Sequence, residues 1–227
     1  MFNYHYKNEA IRKLVVAFGT IFNNIQIGRL KKDNSTTLLR VPLTYAPKEK
    51  YIKRLTQASS ITDNRTRIQI DVPQMAFEMT DIVYDPNRKM NKMFEKFGST
   101  GGISYSSKME VPYNFVFNLY AYTRNIDENL EIMEQILPYF SPEFIVSLNI
   151  TNVHKKVDVP IVLSKTIFTQ EYEGDFSTRR MVISTYQFLA KSYVFGPVKP
   201  NNTIVRDFDM SMTESGDNFT YDIDVGD

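Results

Sequence analysis

The chain has 227 residues, with 27 Lys or Arg, 26 Asp or Glu and 2 His, so its net charge is +1. A hydrophobic fraction of 42% can build a core and excludes a wholly disordered chain, which combines low hydrophobicity with high net charge. The sequence contains no cysteine, which excludes disulfide scaffolds, cysteine-ligated zinc and thiol nucleophiles.

The first elements predicted are a helix and two strands. Apolar residues recur every three or four positions across 7–22, which is the period of an amphipathic helix. Segments 25–27 and 38–43 predict strands on either side of a polar turn at 31–36.

The next stretch predicts a short helix, a strand and a loop. Pro47 is typical of a helical first turn and begins a basic helix that reaches about Gln57. Segment 67–84 alternates in part and predicts a strand, with Pro73 at a bulge or an edge. Segment 87–102 is charged and glycine-rich at its end, so it predicts a loop or hairpin tip.

Segment 111–123 gives the clearest strand, and a helix follows it. Asp127 is the predicted N-cap, and the helix should end before Pro142. Its acidic residues, Glu128, Glu131 and Glu134, are expected on the other faces. Substitution of Leu137 by Ala should then cost roughly 2–5 kcal/mol. The predicted core face consists of Leu130, Met133, Ile136, Leu137 and Phe140.

Three further strands, 144–150, 157–169 and 179–195, complete the pattern, with a turn at 173–175. The sum predicts an α+β fold, a mostly antiparallel twisted sheet flanked by two or three helices. Composition changes near 197–202, so we expect one domain over 1–198 and an acidic extension over 199–227.

Opposite charges concentrate at the two ends of the chain. Residues 1–54 hold eleven Lys or Arg and three acids, whereas 201–227 hold seven acids and one Arg. Such asymmetry can mark interaction surfaces, although a solvated basic face and a disordered solubilising tail would look the same. A docking arm that adds as a strand to a neighbour is the other interpretation of the tail. The candidate partner contacts are Arg12, Arg29, Lys31, Lys32, Arg179, Arg180, Phe219, Tyr221 and Ile223.

Catalytic, metal-binding and cofactor-binding motifs are not predicted. Segment 98–102 lacks the Lys-Ser/Thr of a phosphate-binding loop, and His5 and His154 stand in no ligand pattern. The longest apolar run, 14–22, is far short of the ~20 residues that cross a bilayer. We therefore expect no enzymatic activity, no cofactor and no membrane partner.

Aromatic and methionine side chains are abundant, with 14 Tyr, 16 Phe and 10 Met. Tyr and Met are enriched at the cores of protein interfaces, although a strand-rich fold also uses aromatic side chains for packing. The number of tyrosines favours an interface, because each buried hydroxyl would need a hydrogen-bond partner.

Five ordered segments resemble one known family. They are 22–29 (FNNIQIGR), 40–49 (RVPLTYAPKE), 134–144 (EQILPYFSPEF), 161–164 (IVLS) and 174–180 (GDFSTRR). Together they resemble the tail sheath stabiliser and completion protein, a neck protein, of T-even-like contractile-tailed bacteriophages. The resemblance covers about 2–198 and leaves the acidic extension outside.

The resemblance implies a structural virion protein with a tail-terminator-like fold. It implies a homohexameric ring at the head-tail junction, assembled in the host cytoplasm, that completes the tail, stabilises the sheath and joins tail to head. Its partners would be tail terminator, sheath and neck proteins, with DNA only passing through the lumen. A nucleic-acid-binding factor that uses the basic N-terminal segment is the alternative function.

Overall fold

The computed structural model describes residues 5–30, 35–50, 72–100, 103–150, 156–171, 181–201, 210–214 and 217–221. Three helices lie within these ranges: α1 (Ala10–Ile21), α2 (Ile126–Ile136) and a helical segment at 48–50. Short 3-10 helices span Pro86–Arg88 and Leu137–Tyr139. The strands are β1 (Gln26–Leu30), β2 (Thr36–Arg40), β3 (Leu43–Tyr45), β4 (Gln74–Tyr84), β5 (Glu95–Thr100), β6 (Ile103–Lys108), β7 (Val111–Thr123), β8 (Glu143–Leu148), β9 (Val157–Glu171), β10 (Met181–Val194), β11 (Val198–Asn201), β12 (Met210–Glu214) and β13 (Asp217–Tyr221).

The largest sheet has six strands in the order β3-β4-β7-β10-β9-β8. It is a mixed sheet, because β3 runs parallel to β4 while the other neighbouring strands are antiparallel. A second sheet has the order β11-β6-β5, and β1-β2 and β12-β13 form separate hairpins. The predicted α+β class is confirmed, and β7 spans the residues predicted for it.

The core lies between one face of the six-stranded sheet and the two α-helices. The predicted face of α1 consists of Ile11, Leu14, Val15, Phe18 and Phe22. It is confirmed for Leu14, Phe18 and Phe22, which are buried, whereas Ile11 at the start of the helix is exposed. Gly19 permits close packing there, because a Cβ at this position would lie 2.8 Å from the Phe77 ring. β7 alternates as predicted, and Phe117 belongs to the same hydrophobic cluster.

The predicted N-cap and core face of α2 are wrong in part. The N-cap is Asn125, which leaves Asp127 inside the first turn beside the positive end of the helix dipole. The inward stripe carries Ile132 and Ile136, whereas Leu130 and Leu137 are exposed. The predicted burial of Ile136 is confirmed, and Ile132 is buried in place of Leu130 and Leu137. This side of α2 faces the sheet because Asn129 hydrogen-bonds to residues of β7 and β10. Met133 and Phe140 do contact the core as expected.

A buried polar network joins α2 to the sheet. Asn129 is fully buried and its Nδ2 donates to Thr123 Oγ1 at 3.1 Å. The hydroxyl of Ser184, also fully buried, donates to Asn129 Oδ1. These contacts connect α2 with β7 and β10, so Asn129 fixes the helix on the sheet as well as satisfying buried groups.

Substitution of Asn129 by Ala should therefore lower the free energy of unfolding by about 1–3 kcal/mol, because two buried hydroxyls lose their partner. Urea denaturation followed by circular dichroism measures this loss. Asn87→Ala, on the exposed 3-10 helix Pro86–Arg88, is the control and should stay within about 0.5 kcal/mol. Equal losses in both variants would show that the network contributes nothing specific.

Prolines explain two differences from the predicted strands. The segment expected as one strand over 38–43 divides into β2 and β3, because Pro42 cannot donate a ladder hydrogen bond. Its carbonyl instead accepts the N–H of Met75 at 2.8 Å. Pro73 lies one residue before β4, after a cis peptide bond, and the bulge of that strand lies between Met79 and Asp81.

Segment 87–102, predicted as a loop or hairpin tip, contains a strand. β5 pairs with β6 from Glu95–Lys108 to Thr100–Ile103, so residues 95–100 of the segment form a paired strand. β5 was missed because its sequence lacks apolar alternation, and the backbone ladder with β6 supplies the order instead.

The C-terminal residues also contain strands. β11 pairs with β6 and crosses the expected boundary at 198, while β12 and β13 form an antiparallel hairpin. These C-terminal residues therefore pair as strands within the chain. The division into 1–198 and 199–227 stays a prediction. The predicted turns at 31–36 and 173–175 and the helix after 50 lie wholly or mostly outside the described residues. In the described part of the chain, no helix is long and apolar enough to cross a membrane.

Candidate protein–protein interfaces

Arg29, a candidate partner contact, is about half exposed and is paired within its own chain. Its Nε lies 2.9 Å from Glu128 Oε1, and its Nη2 donates to the Val72 carbonyl at 3.0 Å. Glu128, which the sequence placed on an outer face, is buried because this guanidinium pairs with it across 99 positions of sequence. Arg29 therefore fixes β1 against α2, and only part of its side chain can meet a partner.

Other basic residues of the N-terminal segment also bind backbone carbonyls. Lys13 Nζ donates to Asn149 and Ile150 at 2.8 and 3.2 Å, and Arg40 Nε donates to Asn23 at 2.8 Å. These cations cap chain segments of the same molecule, so the +8 charge of residues 1–54 overstates what is available to an external anion.

The remaining candidate contacts have varied positions. Arg12 is 72% exposed and lies 3.5 Å from Glu9, which leaves its guanidinium accessible. Phe219 and Tyr221 belong to β13. The structure brings none of these three together with Arg29 in one described cluster. Four cations and one apolar residue lie outside the described ranges: Lys31, Lys32, Arg179, Arg180 and Ile223.

Sequence reasoning missed an exposed apolar surface that we call the α2 outer face. It lies on α2 and on the 3-10 helix that follows it. Tyr139 is 68% exposed, and Leu137 is 39% exposed. The signal was present in the sequence, because α2 carries two apolar stripes and only one can face the core. The members of this face are Ile126, Leu130, Leu137 and Tyr139.

A second exposed apolar surface, the β5–β6 patch, lies on and beside the hairpin. Met93 is 87% exposed, and two phenylalanines beside it are about two-thirds exposed. Large exposed apolar patches mark interaction sites on soluble proteins. The members of this patch are Met93, Phe94 and Phe97.

The clefts of the described structure show no convergent catalytic groups. One cleft between α1, β1, α2 and β8 is mainly aromatic and aliphatic, and it is formed partly by the 134–144 segment. Among the described residues, no group of three or more His, Asp or Glu is arranged to hold a metal ion. The exposed apolar surfaces and this cleft can bind apolar side chains.

Two tyrosine hydroxyls sit in unusual surroundings on the sheet. Burial raises the pKa of Tyr120 to about 12, helped by the hydrogen bond that its hydroxyl donates to Glu78 at 2.7 Å. Burial likewise raises the pKa of Tyr186 to about 12. A folded-state pKa above the usual value of about 10 means that folding favours the neutral phenol.

Stability should therefore fall as pH rises from about 10 through 12, because the unfolded phenols ionise first and the folded ones resist. Tyr120→Phe should lose less stability than wild type over this interval. Denaturation at pH 9 and pH 11 measures the difference, with Tyr139→Phe, an exposed tyrosine, as the control. The same pH dependence in all three proteins would contradict the assignment.

Comparison with known proteins identifies the family. The model of the T4-like virus Myoviridae tail sheath stabiliser family matches residues 5–225, which includes nearly all of the acidic extension that the resemblance left outside. The tail completion protein gp15 of Enterobacteria phage T4 is 28% identical over 212 residues, covering 91% of this chain and 77% of its own length. The chain therefore belongs to the family of tail sheath stabilisers of T4-like phages, a family of structural tail proteins.

Proposed function

We propose that the chain forms a homohexameric ring at the neck of a contractile phage tail. There it completes the tail, stabilises the sheath and joins the tail to the head. The observation that carries this proposal is the family match over 5–225, which extends through almost the whole chain rather than one module.

The exposed surfaces support a role in assembly. The α2 outer face and the β5–β6 patch lie on different elements, and two different complementary surfaces on one chain produce head-to-tail contacts that can close into a ring. The fold would then be similar to that of a tail terminator protein. Tail terminator, sheath and neck proteins of the same virion are the proposed partners, and DNA would only pass through the lumen.

The charged and C-terminal candidates belong to the same proposal. We place Arg12 and the exposed part of Arg29 in contacts with partners, together with the candidates outside the described residues. β13 is the proposed docking element of the C-terminal segment, because a two-stranded hairpin is marginally stable unless it packs on something else.

Mass measurement and tail complementation test this function. The purified chain should give a particle of about six times the 26.4 kDa chain mass. On tails from a phage that lacks it, the mass of bound chain should have the same value. Adding it to such tails should restore joining to heads and resistance of the sheath to contraction. A chain that stays monomeric on tails and restores neither property would overturn the proposal.

The nucleic-acid alternative predicts a different result. A DNA-binding factor should bind duplex DNA with an affinity that falls steeply as salt rises. The intramolecular contacts of Lys13, Arg29 and Arg40 weigh against it. Tight, salt-dependent DNA binding by a monomer would favour it over the ring.

A further inference from the structure

We propose that the α2 outer face of one copy binds the β5–β6 patch of the next copy, and that this is the contact between neighbours in the ring. The inference deepens the proposed function and depends on it, because it assigns particular surfaces to the self-association of the chain.

The α2 outer face is a second apolar stripe on a helix whose core stripe is already filled. At 100° per residue, Ile126, Leu130 and Leu137 lie within about 40° of one another around the helix axis. Ile132 and Ile136 face the core from a direction roughly 120° away. Three exposed aliphatic side chains on one stripe are not needed for the monomer core, and burying them requires another surface.

The β5–β6 patch lies on and beside β5, an edge strand of its sheet. In the described structure β5 and β6 pack on one another and on β11. Phe94 and Phe97 are 64% and 67% exposed. Aromatic and methionine side chains that fill a partner's surface are typical anchors of protein interfaces.

Opposite charges around the two surfaces indicate that the partner of each surface is a second copy of the chain. Residues 126–150, which carry the α2 outer face, hold five acids and no Lys, Arg or His. Residues 86–108, which carry the patch, hold five Lys or Arg and a single acid, Glu95. Segments with charges of −5 and +4 therefore flank the two apolar surfaces, which favours their encounter and orientation.

Ion pairs within the chain use only part of this charge. Glu128 pairs with Arg29, Arg88 with Asp85, and Lys96 with Glu110. Without Glu128, the acidic segment keeps four carboxylates. Without Arg88 and Lys96, the basic segment keeps three lysines and one acid, Glu95. The complementarity survives, with charges of −4 and +2.

The two surfaces are joined to opposite ends of one strand. The hairpin leads into β7 at Val111, and α2 begins three residues after β7 ends at Thr123. A strand of 13 residues spans about 40 Å, so each copy presents its hairpin and the first turn of α2 far apart along β7. This arrangement suits a heterologous contact, in which the hairpin of each copy reaches the helix of the next.

Cysteine cross-linking tests the contact directly, because the chain has no cysteine of its own. Met93→Cys carrying an affinity tag is mixed with untagged Leu130→Cys and treated with a short bismaleimide, free and on tails. We expect a cross-linked pair of one tagged and one untagged chain. The matched control replaces Leu130→Cys by Val16→Cys, another exposed aliphatic position on a helix, and should give at least tenfold less product.

The double variant M93C/L130C tests the head-to-tail order. Its cross-linked products should extend beyond the dimer to a ladder that ends at the closed ring, whereas a two-fold symmetric contact would stop at the dimer. Light scattering of the same samples before cross-linking reports whether a ring is present at all.

Charge reversal supplies an independent readout. Lys92→Glu should weaken self-association by about tenfold, the size expected for close opposite charges, and Glu134→Lys in the same chain should restore it. The contact would be overturned, and the ring left intact, by two results together. The ring forms normally with equal cross-linking at Val16 and Leu130, and neither charge change alters self-association. A chain that is monomeric both free and on tails would overturn the contact and the ring together.

Discussion

Substitution of Phe18 by Ala should lower the free energy of unfolding by about 3–5 kcal/mol. Phe18 is fully buried and meets four other rings, with centroid distances of 4.5 Å to Phe117 and 5.1 Å to Phe22. Phe188 and Phe77 complete the cluster at 5.3 and 5.5 Å. The truncation would leave a cavity that rigid sheet residues cannot fill, so urea denaturation should show a large shift of the midpoint.

Val16→Ala is the matched control for this substitution. Val16 lies on the same helix and is 61% exposed, so its truncation should change stability by less than about 1 kcal/mol. Losses of similar size in the two variants would mean that α1 does not bury the stripe carrying Phe18. The packing of the helices on the sheet would then need revision.

The sequence predicts most accurately those elements in which one periodicity dominates. In α1 the buried residues Leu14 and Phe18 lie on one stripe, and in β7 the phenylalanines alternate toward the core. In both elements burial of one face is the largest energy term, so local pattern and tertiary structure agree. The same reasoning accounts for β9 and β10, whose observed ranges overlap the predicted ones closely.

α2 shows where this reasoning fails. Its two apolar stripes are similar in hydrophobicity, and only the surface of the sheet decides which stripe is buried. The burial of Glu128 also cannot be predicted from the local sequence pattern, because its ion-pair partner, the guanidinium of Arg29, comes from β1. Asn129 is buried for the same kind of reason, since its partners lie on β7 and β10.

The candidate interfaces were predictable only in part. Charge along the sequence drew attention to the N-terminal segment, but several of its cations are engaged by carbonyl groups that are distant in sequence. The hairpin carrying Met93 and Phe97 was recognisable as a projecting segment, yet its apolar character was obscured by the lysines between them. Exposure is a property of the folded surface, so both apolar surfaces emerge only once the sheet and helices are in place.

The two stripes of α2 should respond very differently to truncation. Ile132→Ala removes a fully buried side chain and should cost about 2–5 kcal/mol of unfolding free energy, whereas Leu137→Ala, at a 39% exposed position, should cost less than about 1 kcal/mol. Both measurements use urea denaturation of the dissociated chain, because an assembled ring would add the contribution of the α2 outer face. In the ring, the difference between the losses of the two variants should become smaller, since Leu137 would then be buried against a neighbour. A larger loss for Leu137→Ala than for Ile132→Ala in the dissociated chain would restore the core face first predicted from the sequence and remove the surface on which the proposed contact depends.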